Sequence, residues 1–178
     1  MPHRAFTTKY KYKARVLTTE VGLFLPITQE EALLNPPTIK KYIAIWDTGA
    51  TGTVITKKVA NELGIQPTGI TEVQHAGGIS QSNTYLINVT LPNEVTIQGV
   101  KVTEGVLAEG APVLIGMDII GLGDFAVSHC NEHGGTTMSF CIPSSEEIDF
   151  IPQSQEKNII EGGNRHARRA LLKQKRNK

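Results

Sequence analysis

Tyr42-Ile43-Ala44-Ile45-Trp46-Asp47-Thr48-Gly49-Ala50-Thr51-Gly52-Thr53 is the stretch that decides the fold. It opens as an apolar run with the character of a buried strand. The run stops at Asp47, and Thr48, Gly49 and Ala50 follow at once. A carboxylate at the tip of a buried strand must be hydrogen-bonded, paired or protonated, because a lone buried charge is too costly. Glycine allows close backbone approach, and a threonine hydroxyl can bond backbone groups. Taken alone, Asp-Thr-Gly also fits an ordinary turn between two strands, since Asp and Gly are common turn residues.

The bulk composition narrows the setting. A chain of 178 residues suits one domain with tails. A domain of that size buries roughly 70% of the surface its unfolded chain exposes. Seventeen glycines and nine prolines, among many Thr, Val and Ile, point to short strands and turns rather than long helices. No apolar run is long enough to span a bilayer, and residues 1–7 lack the apolar core of a secretory signal. Two cysteines, Cys130 and Cys141, do not make a disulfide framework, so a reduced, cytoplasmic setting is the expectation. The net charge of +1 conceals an asymmetry: +5 over residues 1–15, −10 over 16–160 and +6 over 161–178. Basic ends of this kind can fold onto the acidic body or meet an anionic partner.

Along the chain, residues 10–25 read as an N-terminal strand pair that joins the main sheet. Gln29–Leu34 reads as one helical turn in a loop punctuated by Pro26, Pro36 and Pro37. Thr56 is the expected N-cap of a short helix over Lys57–Leu63, with Gly64 just past its end. Residues 71–91 read as a hairpin that turns at Ala76, Gly77 and Gly78, and its return strand alternates at Tyr85, Ile87, Val89 and Leu91. Further strands are expected over 95–106, Val113–Ile115, 121–127 and 136–142. Strands of this length and spacing argue for an all-β barrel or sandwich. Residues 143–163 read as a polar linker, and residues 164–175 as a basic helix capped by Asn164.

Val113-Leu114-Ile115-Gly116-Met117-Asp118 repeats the logic of the opening stretch: an apolar strand ends on glycine and a short helix begins. A strand into Asp-Thr-Gly-Ala, followed about 65 residues later by Leu-Ile-Gly-x-Asp, resembles the retropepsin-like aspartic proteases, in particular their single-domain members found outside retroviruses. The resemblance covers roughly residues 16–143. It implies a closed all-β barrel with one or two short helices. Residues 1–15 then form a basic arm or strand, and 144–178 a polar linker and basic tail. It also implies a floor from Leu114, Ile115, Gly116 and Asp118, and a flap from His75, Gly77, Gly78 and Ile79.

Such enzymes need two carboxylates about 3 Å apart that share one proton, since like charges so close cannot both ionise. The chain has four aspartates, at 47, 118, 124 and 149, and only Asp47 stands in Asp-Thr-Gly. A dyad must therefore combine Asp47 from two copies, which makes a twofold, isologous homodimer the expected partner arrangement. The resemblance implies that Thr48 reaches across the axis to the partner's backbone and that Gly49 leaves room beside the carboxylates. Ala50 stands where many relatives carry serine. Without that hydroxyl, the dyad is expected to keep its proton to higher pH. Asp118 reads as a brace for the short helix rather than an acid or base. The implied activity is endopeptidase hydrolysis of a peptide or protein substrate, with no cofactor and no metal.

Other features have simpler readings. His129, Cys130, His133 and Cys141 include enough N and S ligands for zinc, but residues 131–135 read better as a hairpin turn. Trp46 reads as packing beneath the Asp47 loop. The basic run over 165–178 reads as an accessory tail. Its alternatives are phosphate contacts with nucleic acid or a contact with ribosomes or anionic lipid. No aromatic residue interleaves it, so base stacking has no support. Since fold does not fix function, a catalytically silent binding or scaffolding dimer on the same fold is the rival reading.

Overall fold

The computed structural model describes residues 2–75, 78–107, 110–130 and 134–162. The chain divides into two units, Met1–Ser145 and Glu146–Lys178.

Among the described residues, ten strands build the first unit. Seven of them form one sheet: β2 (Leu17–Phe24), β3 (Lys40–Trp46), β8 (Val113–Ile115), β4 (Val54–Ile55), β7 (Thr96–Glu104), β6 (Gly78–Thr90) and β5 (Gly69–His75), in that spatial order. β2 also pairs with β6, Leu23 opposite Val89, so six of the strands follow one another in a ring. The β5–β6 hairpin projects beyond it. The fold is all-β, as the strand spacing predicts.

Inside the ring the apolar alternation finds its use. Leu23, Ile55, Ile87, Val89, Val102, Val113 and Ile115 are all fully buried. At roughly 25 cal/mol per Å² of apolar surface, each such side chain contributes about 1.5–3 kcal/mol over an exposed one. The β6–β7 ladder is interrupted between Ile87 and Val89. Asn88, at that interruption, is buried, and its Oδ1 accepts the Gly99 N–H at 2.9 Å. A buried amide without such a partner would cost about 1–3 kcal/mol.

The N-terminal strands are organised differently from the sequence expectation. β1 (Arg4–Tyr10) does not pair with β2 or join the large sheet. It pairs with β10 (Gly135–Ile142), which pairs with β9 (Asp124–Cys130), in a separate three-stranded sheet. The reason lies in the aromatic residues. Trp46 stacks on Phe125 at 5.7 Å and meets Phe6 at 5.8 Å and Phe140 at 5.2 Å. One residue from each strand of the small sheet thus packs on the last residue of β3. The Trp46 indole N–H donates to Thr19 Oγ1 at 2.9 Å, so its buried polar atom is satisfied.

Short helices punctuate the strands. α1 (Gln29–Leu34) begins with a capping box, in which Thr28 and Glu31 each bond the other's backbone N–H. α2 (Lys57–Leu63) starts at Thr56 and ends on Gly64 at φ 69°, a conformation that favours glycine. α3 (Met117–Ile120) is a single turn.

In the second unit, Ile151–Gly162 is a helix, α4, within the stretch that reads as linker in the sequence. Pro152 falls in the first turn, where its missing N–H costs nothing, and Asp149 Oδ1 accepts the Ile151 N–H at 2.9 Å. Gln, Glu and Lys are good helix formers, which the polarity of the segment obscures. The expected helix over 164–175 lies outside the described residues, as does the basic run over 165–178.

Candidate active site

The Asp47 loop begins as a direct extension of β3. Parallel pairing sets Trp46 opposite Ile115, and the Asp47 N–H donates to the Ile115 carbonyl at 3.0 Å. The chain then turns, with the Ala50 N–H reaching the Asp47 carbonyl at 3.3 Å. Gly49 N–H donates to Asp47 Oδ1 at 2.8 Å, so a backbone dipole faces the carboxylate. A Cβ at position 49 would stand 3.2 Å from that same oxygen, tighter than ordinary contact. Asp47 and Ala50 are half-buried, while Thr48 and Gly49 are exposed. The Thr48 side chain makes no hydrogen bond among the described residues.

The floor is a close crossing of two backbones. A Cβ at Gly116 would lie 2.5 Å from the Gly52 carbonyl carbon and oxygen, so glycine is required there. Past it, Met117 N–H donates to the Ala50 carbonyl at 2.8 Å and Asp118 N–H to the Thr51 carbonyl at 3.2 Å. Leu114 is half-buried and Ile115 fully buried beneath this crossing.

Asp118 then clamps the far side of the loop. Its Oδ1 accepts the Thr53 hydroxyl at 2.8 Å and the Ile119 N–H at 3.0 Å, and its Oδ2 accepts the Thr53 N–H at 3.0 Å. Thr53 Oγ1 in turn accepts the Gly116 N–H at 3.3 Å. Thr53 is only 1% exposed, and sequence reasoning misses it. The paired signal is Asp118 after a glycine and a threonine after another, but only the crossing of the strands joins the two.

The remaining aspartates are engaged locally. Asp124 accepts hydrogen bonds from the Ser144 and Ser145 hydroxyls and the Ser145 N–H. Asp149 caps α4.

The hairpin carries Gly78 at φ 120° and Ile79 at 71% exposure. His75 pairs with Gly78 through the backbone. Gly77 lies outside the described residues. A cleft of about 1540 Å³ runs between the hairpin and the Asp47 loop, lined by residues 49–52, by Val73 and by Ser80 and Ser82. Asp47 and Thr48 are not among its lining residues.

Two polar groups on the cleft walls are shifted from their ordinary ionisation. Glu104 is held below the usual carboxylate range, chiefly by the Tyr85 hydroxyl it accepts, with Asn83 and the charge of Lys57 adding to this. Tyr42 is pushed up to about 12 by burial, then by its bond to Glu62. No group of three or more His, Cys, Asp or Glu suited to a metal occurs among the described residues. His133 is outside them, and of the Cys130 side chain nothing is described. No helix among the described residues is long and apolar enough to cross a membrane.

The family comparison agrees with this geometry. Residues 39–121, from the start of β3 to the end of α3, match the family described as "gag-polyprotein putative aspartyl protease". Over that span, a little under half of the chain, the sequence is similar to that family. A retropepsin-like aspartic protease from Rickettsia conorii is similar at 16% identity and TM-score 0.48, covering 79% of this chain and 96% of that one. The simian foamy virus protease is similar at 14% identity and TM-score 0.40, covering 59% and 92%. The EIAV protease, solved with the inhibitor HBY-793, is similar at 18% identity and TM-score 0.41, covering 60% and 86%. No curated protein sequence matches the chain.

Proposed function

We propose that this chain is an aspartic endopeptidase whose active unit is a homodimer. The observation that carries the reading is the Asp47 loop: a carboxylate at a strand tip, oriented by the Gly49 N–H and fixed from below by the Gly116 crossing. The other three aspartates are held by local partners, which supports a second copy of Asp47 as the missing half of the dyad.

In this reading the two carboxylates share one proton. The ionised one takes a proton from water as the water attacks the scissile carbonyl. The protonated one donates to the carbonyl oxygen, and positioned acid–base groups of this kind contribute about 10²–10⁴-fold in rate. The exposed Thr48 hydroxyl is free to cross the axis to the partner's backbone. The β5–β6 hairpin closes over an extended peptide in the cleft and excludes water.

The test compares wild type with Asp47→Ala on a peptide library, with product masses measured. Cleavage at specific bonds by wild type alone is the expected result. Equal cleavage by both proteins overturns the reading.

A further inference from the structure

We propose that Glu104 is a specificity residue of the cleft, which receives a basic side chain, lysine or arginine, of the bound peptide. The inference rests on the peptidase reading and extends it to the substrate.

Glu104 lies at the end of β7, opposite Ile55 of β4. The Thr103 N–H donates to Thr53 and the Gly105 N–H to Ile55, so this strand end is tied to the chain leaving the Asp47 loop. Glu104 lines the same cleft as residues 49–52 and the hairpin. Its carboxylate is not a loose surface charge. The Tyr85 hydroxyl donates to Oε2 at 2.5 Å and Asn83 Nδ2 donates to the same oxygen at 3.2 Å. Tyr85 is buried in the core, so its hydroxyl is a fixed anchor. Oε1 receives no hydrogen bond among the described residues. A half-buried carboxylate with one oxygen pinned and the other open is organised for an incoming donor, and little side-chain freedom remains to be lost on binding.

The charge balance of the cleft fits a cation. Among the described residues, its charged lining residues are Lys57, Lys58, Glu62, Glu72 and Glu104. Lys58 stands 3.8 Å from Glu62, whose carboxylate also accepts the Tyr42 hydroxyl. Among the described lining residues, Glu72, Glu104 and Lys57 remain. Lys57 makes no ion pair with Glu104 among the described residues, although its charge favours the ionised carboxylate. The described lining residues of the cleft therefore sum to one net negative charge. A lysine or arginine of a peptide supplies the counter-charge and a donor to Oε1. A purely structural role for Glu104, as an acceptor for Tyr85, would leave substrate choice untouched.

The experiment uses the full chain and short N-acetylated peptides with Lys, Arg, Gln or Glu at each position in turn. Cleavage is measured with the Asp47-intact protein, and binding by fluorescence anisotropy in an Asp47→Asn background. At one position, wild type is expected to favour Lys or Arg over Gln by about tenfold, the scale of a charge-assisted hydrogen bond discounted for partial exposure. Glu104→Gln, which keeps an acceptor for Tyr85, is expected to abolish that ratio while overall cleavage persists. Glu104→Lys is expected to turn the preference toward Glu. Cleavage with the same ratio in wild type and Glu104→Gln overturns the proposal and leaves the peptidase reading standing. A Glu104-dependent preference in binding without any cleavage does the reverse. Absence of binding to every peptide overturns both.

Discussion

Removing the Asp118 carboxylate tests the clamp on the Asp47 loop. Asp118→Ala deletes the acceptor of three hydrogen bonds, two of them from Thr53. Asp118 itself is exposed, so water can replace part of what its carboxylate contributes. Thr53 is different: at 1% exposure its N–H and hydroxyl have no route to water. An orphaned buried donor costs about 1–3 kcal/mol. The hydroxyl can rotate toward another acceptor, while the N–H cannot. A net loss of about 2 kcal/mol follows, which lowers the melting temperature of a chain this size by about 4–8 °C. Asp118→Asn keeps one acceptor oxygen and is expected to lose about half as much. The pair Thr53→Val and Asp118→Ala closes a double-mutant cycle, with an expected coupling near 1–2 kcal/mol. Urea and thermal unfolding of the four proteins supply the numbers. An Asp118→Ala protein as stable as wild type, or a coupling below about 0.5 kcal/mol, would refute the argument that Thr53 depends on this carboxylate.

Further expectations follow from other parts of the molecule. Gly116→Ala drives a methyl group into the Gly52 carbonyl, and overpacking of this kind costs about 1–3 kcal/mol; urea unfolding measures it, with loss of peptidase activity expected alongside. Ala50→Ser adds a hydroxyl beside Asp47 and is expected to move the acid limb of the pH–rate profile downward; an unmoved or raised limb counts against it. The folded-state value of Glu104 lies below its ordinary one, so its contribution to stability is present above the usual carboxylate range and lost as pH falls through the folded value. Comparing acid unfolding of wild type and Glu104→Gln reads this directly, and parallel curves would contradict it. Tyr42 carries the opposite sign: its contribution is full below pH 10 and fades as pH rises toward about 12. Tyr85 is raised as well, by burial and its bond to Glu104, so ultraviolet titration should show more than one phenol ionising late, and Tyr42→Phe should remove the step near 12.

Much of the geometry of the candidate site is legible in the sequence because its signals are local. Asp47, Thr48 and Gly49 are adjacent, and Gly116 ends an apolar run, so strand tips and tight turns announce themselves in a few letters. The helix over Lys57–Leu63 is equally legible, since Thr56 and Gly64 mark its two ends. What stays hidden depends on residues distant in sequence. Period-two alternation marks β1 as a strand but does not say that its partner is β10 rather than β2. Thr53 acquires its role only when Asp118 arrives from 65 residues away. Glu104 gains meaning from Asn83 and Tyr85, which share a face of β6 because strand side chains alternate. α4 is obscured for another reason. Its polar composition resembles a linker, although its residue types favour helix.

The pairing of β1 with β10 has a consequence for how the molecule comes into being. Arg4 lies opposite Ile142, so nearly the whole domain must leave the ribosome before its first strand has a partner. Closing so long a loop costs on the order of 4 kcal/mol in chain entropy, and topologies dominated by distant contacts fold slowly. Until that moment Phe6 and Phe140 cannot meet Trp46, and the aromatic cluster beneath the Asp47 loop stays open. A chain truncated before β10 therefore keeps every residue of Asp-Thr-Gly and Leu-Ile-Gly yet lacks the packing that seats them. The small sheet can therefore close only after β10 has been made, and a chain ending before Gly135 lacks the packing of Phe140 on Trp46.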